Sequence, residues 1–208
     1  EKHKLRVIKK EECDFSYHDS MFKHASGRYL VLQASFILPM KGTSRLSYRD
    51  NHFDLESLVK ASGHEPTLGD VRTTILKMRS EKGMLSDSYK SAGSFFLMPF
   101  VSAEQYEQIT ARARELDAKK EEQLRPWAWK QADGSYKIAG GFLIEYTKFQ
   151  KGYVQGAAGI SPKHTLSIIN VAGACARDIA GLARDMQDAV EKIFTIRLER
   201  EVEYIGFE

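Results

Sequence analysis

The chain has 208 residues, 42% of them hydrophobic, enough to bury a core without disulfide or metal staples. Lys and Arg number 31 against 28 Asp and Glu, a net charge of +3 with no block of five like charges, which excludes a strongly basic surface for nucleic acid or an anionic membrane. No apolar run approaches the ~20 residues of a bilayer crossing, and Cys13 and Cys175 alone make neither a disulfide framework nor a four-cysteine metal site, so a reducing cytosol is the expected setting.

Residue 1 is Glu, and the opening 1–10 is neither a signal nor a transit peptide. It reads as a strand with Leu5 and Val7 on one face, already under way at the first residue, as expected of a piece of something longer. A mixed segment over 12–23 precedes a second predicted strand, Tyr29 to Leu38, half-buried and rich in aliphatic residues. From Pro39 to Pro66 the chain reads as loop, with a short helix around Asp54 to Ala61. Leu68, Val71, Ile75 and Met78 then fall on one helical stripe, which Gly83 should stop.

Residues 91–100 read as a small-residue turn feeding an aromatic strand. Ser102 with Gln105 three residues on is a capping box, opening a charged helix to about Glu122. Asp133-Gly134 between Trp127–Lys130 and Tyr136–Ile138 signals a two-residue hairpin. A short helix from Gly141 to Tyr146 and a strand from Thr165 to Asn170 follow. Ile179, Leu182, Met186, Val190 and Ile193 mark the clearest amphipathic helix, and a last strand over Thr195 to Ile205 closes the chain. Strands and helices mix without strict alternation, so the expected class is α+β.

The chain has no CxxC, HExxH, GxSxG or P-loop pattern, and no metal-ligand spacing among its six histidines. Gly152, Gly156 and Gly159 are spaced GxxxGxxG rather than GxGxxG, which favours close backbone approach in a β-rich core over a phosphate loop. Lys163 and His164 precede a strand and could meet an anion; an exposed loop histidine is the competing reading. Ser94 lies between Gly93 and Phe95 with no base nearby in sequence, so by pattern it is a turn serine. Glu199 and Glu201 alternate with Leu198 and Val202, as solvated carboxylates on one face of the last strand would. The residue pattern alone reaches an α+β protein with a possible anion site.

Three ordered segments, Ser91–Phe96 with Pro99, Gly156–Ala158 leading to Lys163-His164, and Leu198–Val202 with Ile205-Gly206, resemble the C-terminal half of the UDP-N-acetylenolpyruvoylglucosamine reductase family. Residues 13–23 resemble that family's tyrosine-bearing loop, and Asp133–Ser135 and Gly141–Glu145 also fit. The resemblance implies a FAD- and NADPH-dependent oxidoreductase that reduces UDP-N-acetylglucosamine enolpyruvate to UDP-N-acetylmuramate for peptidoglycan. It implies that 1–66 is the end of a FAD-binding second domain with the tyrosine loop and a linker, and 67–208 the substrate-binding α/β domain. The flavin-binding half, with a catalytic arginine, would precede residue 1. The complete protein would be a cytoplasmic monomer without nucleic-acid or membrane partners, and the isolated piece inactive.

By the same resemblance Ser94 matches the proton donor, and Glu201 the glutamate at the substrate carboxylate. Tyr17, Lys82 and His164 match groups that hold the UDP diphosphate, and Arg79 and Gly93 fall near flavin or nicotinamide. The sequence departs from the family pattern at four places. His18 stands for an arginine, Leu97-Met98-Pro99 for Lys-Asn-Pro, Arg200 for a proline and Glu203 for a basic residue. His18 and Met98 leave open a non-catalytic UDP-sugar-binding module of the same fold.

Overall fold

The computed structural model describes residues 4–16, 18–25, 27–38, 55–60, 63–64, 67–85 and 89–207. The chain divides into two compact units, Glu1–Thr43 and Ser44–Glu208. In the smaller unit a 3-10 turn at Lys10–Glu12 is closed by the Lys9 N–H donating to Glu12 Oε2 at 3.0 Å, and a short helix, α1, spans Met21–His24. The strands expected over 1–10 and 29–38 do not form in the described residues. Leu5, Val7, Leu30 and Ile37 are almost fully exposed. Alternation names the face a strand would bury but not the neighbour that would complete its ladder, and neither segment finds one among the described residues.

In the larger unit α2 (Leu55–Lys60) and α3 (Leu68–Glu81) pack through Leu55, Val59 and Met78, flanked by Val71 and Ile75. The expected short helix and apolar stripe both form, with Leu68 left in the exposed first turn. Thr67 opens α3: its Oγ1 accepts from Asp70 N at 3.2 Å, while Asp70 Oδ2 accepts the Thr67 N–H at 2.9 Å.

Among the described residues seven short strands make two antiparallel sheets. β1 (Ser91–Ser94), β5 (Val154–Gln155), β6 (Ala158–Ile160) and β7 (Ser167–Asn170) stand in the order β1-β7-β6-β5. β2 (Phe100–Val101), β3 (Ala128–Lys130) and β4 (Tyr136–Ile138) stand in the order β2-β4-β3. The expected hairpin at Asp133-Gly134 joins β3 to β4, but its loop is longer than the expected two residues, since the last strand pair is Lys130 with Tyr136 and Gln131 N then donates to Ser135 O. Gly134 N donates to Gln131 O, closing a four-residue turn that ends on Gly134 in the left-handed region at φ +87°. At β5–β6 the two-residue turn begins with Gly156 at φ +60°.

α4 (Ala103–Leu124) opens on the expected capping box, Ser102 Oγ accepting from Gln105 N and Gln105 Oε1 accepting from Ser102 N. α5 (Gly140–Ile144) is buried throughout. α6 (Ala176–Phe194) buries Leu182, Met186 and Val190 against α5, β6 and β7, as its 3.6-residue periodicity requires. Each such side chain contributes about 1.5–3 kcal/mol on leaving water. Phe95, Phe96, Phe142, Phe149, Ile138 and Leu198 complete one continuous core. The class is α+β with antiparallel sheets, and no helix of the described residues is long and apolar enough to cross a membrane.

Two further expectations do not hold. The strand of 91–100 is the small-residue stretch itself, Ser91–Ser94, and Phe95 and Phe96 leave the ladder to enter the core. The last segment is not a strand over Thr195 to Ile205. Thr195 ends α6 in the left-handed region (φ +59°), and the segment then touches the sheet at the single bridge of Phe96 with Arg200. The chain bends at Glu201, so Glu199 and Glu201 do not share one face of a continuous strand.

Candidate functional site

β1 is an edge strand whose register on β7 slips between its two ends. Ser91 faces Ile169 and Ser94 faces Ser167, so one extra residue is accommodated on β1. Gly93 absorbs it at φ +86°, a conformation that costs a side-chain-bearing residue ~1–2 kcal/mol. A bulge of this kind re-aims the next side chain. Here that side chain is Ser94, half-buried at the strand end and followed by the buried Phe95–Phe96 pair, whose ring centroids lie 5.4 Å apart. The Phe95 N–H, donating to Leu166 O at 2.9 Å, pins the exit of the bulge. No described residue hydrogen-bonds the Ser94 hydroxyl.

Ser94 lines a cavity of about 220 Å³ with Arg79, Met84, Leu85, Tyr89, Ser91, Gly93 and His164. Arg79 arrives on the last turn of α3. That helix ends as expected at Gly83, with Met84 N donating to Arg79 O at 2.8 Å and Gly83 N to Ser80 O at 2.9 Å, a Schellman closure around φ +66°. The closure carries Met84 and Leu85 onto the cavity wall. A Cβ on Gly83 would sit 2.8 Å and 2.9 Å from ring carbons of Tyr89 and 3.2 Å from Lys163 Cβ. Gly83→Ala is therefore expected to cost about 1–2 kcal/mol from the left-handed backbone alone and to displace Tyr89. Urea unfolding and the Tyr89 ring resonances check this; unchanged stability with an unmoved ring would contradict it.

His164 is half-buried, and its Nδ1 accepts the Leu166 N–H at 3.2 Å. In the neutral ring the proton is then on Nε2, which is a donor. Burial first, and then the nearby charges of Lys151 and Lys82, hold its pKa below the ordinary histidine value. His164 thus offers a neutral hydrogen bond near pH 7, and the charge of the site comes from its arginine and lysines.

Linkage fixes the sign of the pH effect. Between the lowered folded pKa and the ordinary value of 6.5, the unfolded chain binds more protons, so stability falls as pH drops through that window. NMR titration should find His164 titrating below the ordinary histidine range, and His164→Gln should flatten the fall of stability from pH 7 to 5. A pKa at or above 6.5 would contradict this placement.

Of the residues singled out in the sequence, Arg79, Gly93, Ser94 and His164 share the cavity. Lys82, the C-terminal cap of α3, acts on His164 through its charge. Glu201 is not on the cavity wall, but its backbone N–H donates to Phe95 O at 3.0 Å, one residue from Ser94. Tyr17 lies outside the described residues. Met84, Leu85, Tyr89, Ser91 and Lys151 were missed. Only the Met84-Leu85 pair had a signal, since apolar residues just after a Schellman glycine commonly fold back. The cavity brings the Arg79 guanidinium, the Ser94 hydroxyl and a neutral imidazole donor together, groups that can hydrogen-bond an anionic ligand.

Comparison with known proteins bears on residues 85–205. They match the family model for the C-terminal domain of UDP-N-acetylenolpyruvoylglucosamine reductase. The chain belongs to this family. A Thermobifida fusca protein named UDP-N-acetylenolpyruvoylglucosamine reductase is 37% identical over 98% of this chain and 56% of its own length. A protein of the same name from Pseudomonas syringae pv. tomato is 34% identical over 95% of this chain and 54% of its own length. For one from Porphyromonas gingivalis the identity is 29%, over 96% and 55%. The chain spans about half the length of the curated relatives it matches. The family match covers the bulge, Ser94, His164 and Glu201, while Arg79 and Lys82 lie before it.

Proposed function

We propose that this chain supplies the substrate site and proton donor of an NADPH- and FAD-dependent reductase. The enzyme would convert UDP-N-acetylglucosamine enolpyruvate to UDP-N-acetylmuramate in peptidoglycan precursor synthesis. The observation that carries the reading is Ser94: a bulge-aimed hydroxyl, without a hydrogen bond to any described residue, in one cavity with Arg79 and His164. On this reading 1–66 closes the FAD-binding domain and 67–208 binds substrate.

The residues present fit a flavin. Gly93 has no described atom within 4 Å of where a Cβ would stand, and with exposed Ser91 and Ala92 it leaves the strand edge bare for a flat group, beside Arg79. Bound there in its reduced form, the flavin would supply hydride to C3 of the enolpyruvyl double bond. Ser94 gives its hydroxyl proton to C2, and the flanking cations stabilise the charge left on the oxygen until water returns a proton. Glu201 works together with the arginine of the flavin-binding half at the substrate carboxylate, where charge develops during the transfer. Lys82, the neutral donor of His164 and Tyr17 hold the diphosphate, so that binding remote from the reacting carbons fixes their position.

Titration of this chain with UDP-N-acetylglucosamine enolpyruvate, followed by NMR, should show saturable binding with shifts at Ser94 and His164. The isolated chain should oxidise no NADPH, and activity should appear when a flavin-binding N-terminal half is supplied separately. Turnover and copurified flavin in the chain alone would contradict this division of labour. Binding without recovery of activity would favour a non-catalytic UDP-sugar module.

A further inference from the structure

We infer that Arg200 and Tyr204 form a clasp that positions Glu201, an inference that rests on the role proposed above for Glu201. The segment carrying Glu201 has little sheet structure to hold it. Among the described residues its only ladder contact is the Phe96–Arg200 bridge, made by Leu97 N donating to Glu199 O at 2.9 Å and Glu201 N donating to Phe95 O at 3.0 Å. Beyond that bridge the chain bends at Glu201 and Val202.

The far side is closed by side chains. The Arg200 guanidinium stacks over the Tyr204 ring at 3.8 Å from the centroid. Tyr204 packs edge-on to Phe95 at 6.4 Å and against Phe207 at 4.6 Å. Val202 is seated on the main core between them. The bend is thus tied at both ends, by the bridge at Arg200 and by an aromatic ring resting on Phe95, the neighbour of Ser94. Glu201 is the first residue inside this closed bend. A stacked guanidinium is planar and pre-organised, so it fixes geometry at a lower entropic cost than a lysine would. Arg200 is itself exposed and carries none of the core, so removing it loosens the bend without unfolding the domain.

Displacing a carboxylate by about 1 Å from its working position can cost on the order of 10²-fold in rate. In the full-length protein carrying this sequence, Arg200→Gln and Tyr204→Leu should each slow reoxidation of the reduced flavin by UDP-N-acetylglucosamine enolpyruvate by roughly 5- to 50-fold, leaving reduction by NADPH unchanged. Arg200→Lys should fall between the parent and Arg200→Gln. Hydrogen exchange of the Glu201 amide should quicken in both clasp variants, independently of turnover.

A double-mutant cycle separates positioning from general destabilisation. Arg200→Gln should add nothing when Glu201 is already Gln, because it acts through that carboxylate. Loss in Glu201→Gln with parental reoxidation in Arg200→Gln and Tyr204→Leu would overturn the clasp and leave the role of Glu201 standing. Multiplying losses in the double variant, or equal losses in both half-reactions, would also overturn it. Parental reoxidation in Glu201→Gln would overturn the role of Glu201 itself, and the clasp with it.

Discussion

Ser94→Ala is expected to lower steady-state turnover of the full-length protein by about 10²–10⁴-fold, the range that a positioned proton donor supplies. The substitution removes one oxygen from a half-buried position on the cavity wall and breaks no hydrogen bond to a described residue. Stability should change by no more than about 0.5 kcal/mol, because nothing is unpaired and no large void opens. Substrate affinity should change little, since the diphosphate is proposed to be held by other groups, Lys82 and His164. A lower kcat at nearly constant Kd is the signature of a group whose work is done in the transition state. Ser94→Cys keeps a titratable hydrogen at the same place and should retain part of the activity. Loss of binding in proportion to loss of rate would instead make Ser94 a contact for the bound substrate.

Gly159→Ala carries the second large effect, this time on stability. A Cβ at Gly159 would stand 2.9 Å from the Tyr153 carbonyl oxygen, 2.9 Å from Val171 Cγ2 and 3.4 Å from Val154 Cγ2. The first of these is backbone and cannot rotate away, so the β5–β6 hairpin has to open. Overpacking of this kind costs about 1–3 kcal/mol, and the upper half of that range is expected here. β6 pairs with β7, which faces Ser94 through Ser167, so the strain reaches the site as well. Gly156→Ala in the same motif should cost only about 1 kcal/mol. It takes φ +60°, but nothing lies within 4 Å of its missing Cβ. Urea unfolding of the two variants gives the comparison; equal costs, or a larger one at Gly156, would contradict the packing account.

The same contrast shows what could be read in the sequence. The GxxxGxxG spacing argued against a phosphate loop, and the reason is visible at Gly159, which lies in a buried strand against a neighbouring carbonyl. The stop of α3 at Gly83, the box at Ser102 and the stripe of α6 were legible because capping and periodicity are local. Strands over 1–10, 29–38 and 195–205 were misread because alternation is local whereas ladder partners are not. The bulge at Gly93 was likewise invisible, since it exists only in relation to the register of β7. Ser94 therefore read as a turn serine by pattern, and only the family resemblance singled it out.

The cavity shows a second limit. Arg79 and His164, 85 residues apart in sequence, meet only once α3 and the loop before β7 are folded. That His164 is neutral follows from burial beside Lys151 and Lys82, none of which its own neighbours in sequence announce. Tyr89 is held in place by the absence of a Cβ at Gly83, six residues earlier. Each of these depends on long-range packing, which composition and spacing do not encode.

The central claim is that Ser94 delivers a proton to the substrate and takes no part in the transfer from NADPH. Rapid-mixing measurement of the two half-reactions of Ser94→Ala in the full-length protein tests it most directly. Reduction of the flavin by NADPH at the parental rate, with reoxidation by UDP-N-acetylglucosamine enolpyruvate slowed at least ~10²-fold, is the predicted result. Equal slowing of both half-reactions, or reoxidation at the parental rate, would contradict it.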